Sequence, residues 1–250
     1  LCDRRQRQMC IRDSIVFIVR ELRCENPLLN LKLLGERNFG VSMAVLAIFG
    51  IGMLGGTYLL PLYMQKGLGY TAIMAGSVFL PVGLIQGVLS TCSGFLTRYI
   101  KPLFIAVTGI LVMTLSFYFA SRFTLHTTHA QIMLVLYLRG FGMGLTFAPL
   151  NDFSLMNLSQ RDMASAAGIS NSIKQLSGSV SIALLTVILT GRTAFHSAQG
   201  GLSSAESYVA GISDDFLFVT FVSLASALPF LWLLRPRRKA ASFKSEGTGT

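Results

Sequence analysis

Charge is scarce in this sequence. Only 13% of its 250 residues are Asp, Glu, Lys or Arg, whereas a soluble domain carries roughly 25%. A water-facing surface is hard to build from so few charges. Acidic residues are scarcest, 11 against 21 basic ones, and leave a formal charge of +10. Cysteine is sparse too. Cys2, Cys10, Cys24 and Cys92 form no C-x-x-C pair, so neither a zinc ribbon nor a disulfide framework is expected. Cys92 falls in an apolar run and reads as a small buried thiol. The three histidines, His126, His129 and His196, read as loop residues without ligand spacing, and no metal site is expected. Nothing resembles a nucleophile–base pair or a phosphate loop. Enzymatic chemistry is therefore not expected.

What the chain has is apolar length. Hydrophobic residues make up 52%, and the mean hydropathy is +0.60. A spanning helix needs about 20 mostly apolar residues, and six segments qualify: 39–63, 70–97, 103–121, 131–157, 163–191 and 216–234. The fourth is interrupted by Arg139 and Asp152, and the fifth by Lys174. The expected fold is an all-α integral membrane bundle of six transmembrane helices. Before it, residues 15–38 read as the end of a preceding helix plus a linker. In the linker, ENPLLNLKLLGER (25–37) suits a segment lying in the interface. Residues 1–14, LCDRRQRQMCIRDS, read as a junction or non-native stretch. The bundle is assigned to 39–235 and a polar tail to 236–250.

Orientation follows from Lys and Arg in short loops. One side collects Lys32, Arg37, Arg98, Lys101, Arg161, Arg235, Arg237, Arg238, Lys239 and Lys244. The other has Lys66, Arg122 and Arg192. The richer side is expected in the cytoplasm, with the C-terminus. The basic residues lie scattered between spans, so nucleic-acid binding is not expected.

An internal echo links the first and fourth segments. GIGMLGGTYLLPLY (50–63) and GFGMGLTFAPLNDF (140–153) align Gly50 with Gly140, Met53 with Met143, Thr57 with Thr146, Tyr58 with Phe147 and Pro61 with Pro149, given two small gaps. These segments head two successive triplets. With three helices each, the triplets would form inverted repeats, common in secondary transporters with a substrate site near the midplane. Chance recurrence of Gly, Met and Leu in apolar helices is the competing explanation. Glycines 140, 142 and 144 would thin the fourth helix where another crosses, and Pro149 would allow a bend.

Four stretches carry a family resemblance: ENPLLNLKLLGERNFG (25–40), LLPLYMQKGLGYTAIMAGSVFLPVGL (59–84), RGFGMGLTFAPL (139–150) and AAGISNSIKQLSGSVSIALL (166–185). In this order and spacing, the chain resembles the fourteen-helix drug:proton antiporters of the major facilitator superfamily, the EmrB/QacA type, over roughly residues 20–235. The resemblance implies the C-terminal half of an efflux transporter working by alternating access in the inner membrane. Its energy source would be a proton gradient, with no cofactor. Implied partners are amphipathic small molecules, protons, the lipid bilayer and the N-terminal half of the same transporter. A periplasmic adaptor is one more that the resemblance allows. The loop SGFLTRYIKP (93–102) looks like a degraded copy of the family's G-x-L-x-D-R loop. Thr97 stands where the acid would be, so the charge relay of that loop does not carry over. An importer of another small solute on the same fold, and a transport-inactive fragment or membrane scaffold, are the alternative readings.

The charges within the spans mark candidate sites. A charge at the bilayer centre costs from about 3 to above 10 kcal/mol, so such residues usually turn inward. Arg139 lies about 12 Å deep at 1.5 Å per residue. It either caps a neighbour's carbonyls or shapes a substrate cavity. Lys174 lies roughly 16 Å deep, with Ser170, Ser177, Gly178 and Ser181 on its face. Lys174, Asn171 and Gln175 are cavity candidates, as are Arg139, Gln86, Met143 and the aromatics Tyr58 and Phe147. Packing is the alternative role for each. Asp152 is a candidate gate or ion-pair partner for Lys174, at an axial offset of about 8 Å.

Overall fold

Local chemistry sets where each helix starts and stops. The computed structural model describes residues 31–155, 158–160, 162–198 and 203–229. The junction, the preceding-helix stump, the first half of the linker, the C-terminal tail and three of the cysteines lie outside them. A 3-10 turn, Leu31–Gly35, buries Leu33 and leaves Leu34 exposed. Helix α1 is Arg37–Leu62. Its Pro61 has no N–H for the Thr57 carbonyl, and the helix widens into a π turn, Tyr63–Gly67. Gly69, at φ 71°, then reverses the chain in a conformation that favours glycine. Helix α2, Ala72–Leu96, opens with the Thr71 hydroxyl accepting from the Met74 N–H at 3.3 Å. Helix α3, Pro102–Ala120, carries proline in its first turn. Helix α4 is His129–Leu155 and α5 is Met163–Ala198. Helix α6, Ser204–Ala225, begins in a capping box. The Ser203 hydroxyl accepts from the Glu206 N–H, and the Glu206 carboxylate accepts from the Ser203 N–H at 2.7 Å.

Among the described residues, six helices are long and apolar enough to cross a membrane. The described residues contain no strand. The last two helices differ most from the sequence expectation. The fifth helix runs on to Ala198, and the sixth starts at Ser204 rather than near 216. Asp214 and Asp215, which precede the expected start, therefore lie inside α6. His129 and His196 also belong to helices, at the start of α4 and in the last turn of α5.

Helix α1 packs against α4, α5 and α6, while α4 packs against α1, α2 and α3. The glycines show how closely. A Cβ on Gly50 of α1 would sit 3.0 Å from the Ser177 Cβ of α5, and one on Gly52 3.6 Å from Ser223 of α6. In α4, a Cβ on Gly140 would sit 3.1 Å from Val82 of α2, and one on Gly142 2.8 Å from the Met113 nitrogen of α3. The head helix of each triplet thus packs on the second and third helices of the other. Each aligned glycine pair of the echo faces the corresponding partner. That exchange is what a repeat of two three-helix units requires.

Hydroxyls tie the seams, as expected where side chains cannot bond to water. Ser181 donates to the Ile51 carbonyl at 2.7 Å, Ser116 to Val135 at 2.7 Å and Ser93 to Gly144 at 3.1 Å. Tyr63 stacks on Phe123 at 4.9 Å and donates to the Thr124 carbonyl at 2.7 Å. Helices α2 and α5, the second of each triplet, are the least buried spans. Cys92 is consequently exposed on α2, not buried.

Candidate functional site

The ionisable residues expected within the spans go to three different places. Arg139 is buried. Its Nη2 donates to the Met53 carbonyl of α1 at 3.1 Å and to the Thr57 hydroxyl. Thr57 in turn donates to the Met53 carbonyl at 2.9 Å. Gly56 makes room, since a Cβ there would strike the Phe117 ring and approach Arg139 Nε. In this conformation Arg139 therefore pins α4 to α1 by capping a neighbour's backbone. Thr57 and Met53, its partners, were not among the sequence candidates as ligands of Arg139. The echo contained both, but nothing in one dimension paired them with the arginine.

Lys174 is half-buried on α5, and its Nζ sits 4.7 Å from the centroid of the Phe147 ring of α4. A cation over an aromatic face is an attractive pair, worth more when desolvated. Helices α4 and α5 flank α1 without packing along each other, so this contact bridges the gap between them. Asn171 and Gln175 are exposed beside it. Asn151, one turn beyond Phe147, donates to the Phe147 carbonyl at 2.9 Å. No ion pair joins Asp152 to Lys174; Asp152 is exposed.

The small polar face of α5 divides differently than expected. Ser170, Ser177, Gly178 and Ser181 are buried in the seam with α1. Ser170 lies 3.5 Å from Met43 Sδ, and a Cβ on Gly178 would meet Leu54. Lys174, at the edge of that seam, reaches across towards Phe147 instead. Tyr58 is half-buried, its hydroxyl 3.3 Å from that of Thr186 on α5. Met143 is half-buried against the core. Gln86 is half-exposed on α2, not buried between apolar turns as expected, because α2 lies at the edge of the bundle.

A second polar cluster sits near the α5–α6 turn. His196 Nε2 lies 3.0 Å from Asp214 Oδ2, and Arg192 Nε 3.7 Å from the same oxygen. His196 and Asp214 border a cavity of about 730 Å³ that also touches Arg122, His126 and Glu206. Sequence reasoning missed this cluster because the sixth helix was started twelve residues late. The signal was present: Ser203-x-x-Glu206 is a capping-box pattern.

Comparison with known proteins adds the following. The sequence profile of the Major Facilitator Superfamily matches residues 12–182. Multidrug export protein EmrB of Haemophilus influenzae is 31% identical over 74% of this chain and 36% of its own length. Lincomycin resistance protein LmrB of Listeria innocua is 26% identical over 89% of this chain and 48% of its own. Fatty acid resistance protein FarB of Neisseria gonorrhoeae is 25% identical over 88% and 50%. The chain thus spans about half the length of these relatives, or less.

Proposed function

Because this chain belongs to the major facilitator superfamily, we propose that it forms the C-terminal bundle of a proton-coupled exporter of amphipathic compounds. Export proceeds by alternating access, with an N-terminal bundle closing a cleft from the other side. The observation that carries this reading is the Lys174–Phe147 pair spanning the gap between α4 and α5, with Asn171 and Gln175 exposed beside it. The patch offers an aromatic face, a cation and two amides, which suits molecules that combine apolar bulk with a few polar groups. The relatives' names, which speak of multidrug export and of resistance to lincomycin and fatty acids, support the same class of substrate.

Under this proposal the protein lies in the inner membrane. The loops rich in Lys and Arg, and the C-terminus, face the cytoplasm. Its partners are protons, lipid, the N-terminal bundle and, on the far side, a periplasmic adaptor. The test is dye efflux from proteoliposomes holding the full-length transporter. Efflux is expected when a pH gradient is imposed and should stop when an ionophore collapses it. Efflux indifferent to the gradient would reject proton coupling, and inward-only movement of a polar solute would favour an importer.

A further inference from the structure

Four of the five buried side-chain polar atoms that lack a hydrogen-bond partner among the described residues belong to α5 and α6. They are both carboxyl oxygens of Asp215, the Thr193 hydroxyl and the Ser207 hydroxyl. Asp215 is fully buried. Its neighbour Asp214 is not, and lies against both Arg192 and His196 of α5.

Other charged or titratable groups surround α6, His126 among them in the cavity lining beside Glu206. From the π turn, Lys66 is exposed and stands 5.7 Å from the centre of the Tyr208 ring, while Tyr63 bonds to Thr124. From α1, Tyr58 meets Thr186. At the end of α3, Arg122 donates to the Tyr118 hydroxyl at 3.0 Å. From α4, Arg139 is held by Met53 and Thr57. On α6 itself, Glu206 caps Ser203, and Tyr208 lies within electrostatic reach of Asp215 and Tyr58. None of these groups bonds to an Asp215 oxygen. A carboxylate buried in this way, without a countercharge or a donor, is far more costly than the neutral acid.

The two unpartnered hydroxyls lead towards that acid. Ser207, Gly211 and Asp215 recur every fourth residue, so they share one face of α6. A Cβ on Gly211 would meet Thr193 Oγ1 at 2.6 Å, which sets Thr193 level with Gly211. The polar groups therefore step inward from the capped start of α6 at intervals of about 6 Å, four residues at 1.5 Å each. Buried polar atoms of this kind are commonly satisfied by water.

We propose that Asp215 is a proton-binding site of this bundle, loaded along Ser207 and Thr193 from the side of the membrane that carries the α5–α6 turn. A hydronium ion at the mouth gives its proton to an Asp215 oxygen. An O–H bond forms, water is left behind and the acid becomes neutral; release is the reverse. The site deepens the proton-coupled reading above and rests on it only for the link to transport.

The experiment is labelling of the full chain in lipid vesicles with dicyclohexylcarbodiimide, which reacts with protonated carboxyls in apolar surroundings. The adduct is located by mass spectrometry. Labelling is expected on Asp215 and not on Asp214, and should fall several-fold from mildly acidic to alkaline pH. Ser207→Ala with Thr193→Val should slow deuterium uptake by the acid without abolishing the adduct. Asp215→Asn should remove the adduct. If that variant fails to insert, the infrared carbonyl band of a protonated acid in the unaltered chain, shifted in heavy water, gives the same readout. No adduct at Asp215 together with no such band would overturn the proposal, as would a double variant that takes up deuterium as fast as the parent. Labelled Asp215 without gradient-driven efflux would reject the transport reading alone. Efflux with neither an adduct at Asp215 nor that band would reject this inference alone.

Discussion

Arg139 shows how a charge is tolerated in a helix of this kind. Its guanidinium finds a backbone carbonyl and a hydroxyl on α1, so it does not have to reach water. Hydrogen bonds to charged groups contribute about 1.5–3 kcal/mol. Thr57→Val should therefore destabilise the bundle by about that amount, read as a lower midpoint in mixed-micelle unfolding. An unchanged midpoint would mean that the hydroxyl contributes nothing. The sequence left both roles of Arg139 open, because depth in a span can be counted along the chain but the neighbour supplying the acceptor cannot. The same gap hid the Lys174 contact. Its ring partner lies on another helix, and an Asp at a suitable offset, Asp152, was the more visible candidate.

At the scale of the helix, close approach is the controlling feature. Gly142 faces backbone, with the Met113 nitrogen 2.8 Å from where a Cβ would stand. Backbone cannot rotate out of the way as a side chain can. Gly142→Ala should destabilise by about 1–3 kcal/mol through overpacking. Gly87→Ala on α2, with nothing within 4 Å, should be neutral or stabilising by up to about 1 kcal/mol. Thermal unfolding of the two variants in matched lipid would separate them, and equal effects would contradict the packing described. Ser203→Ala removes an N-cap and should cost about 0.5–2 kcal/mol, seen as fraying of α6 by hydrogen exchange. Five spans were readable from apolar length because their ends coincide with polar loops. The sixth was readable too, but its start was placed twelve residues late, because the capping box at Ser203 was not used. Asp214 is held within it by Arg192 and His196 of α5, and that pairing is a property of the assembled bundle.

For the whole molecule, the exchange of partners between the two triplets accounts for the glycine echo better than chance recurrence. It also leaves α2 and α5 as the open flanks, where lipid or a second bundle would lie. The resemblance of four ordered motifs and the superfamily membership agree on the fold. What could not be read in advance was the division of α5 between a seam that buries its serines and a gap that Lys174 spans. The reading of this gap as the substrate path is tested most directly by efflux from proteoliposomes of the full-length transporter carrying Lys174→Leu. With insertion and protein amount matched to the parent, the account expects dye efflux to fall several-fold. Efflux equal to that of the parent would contradict it.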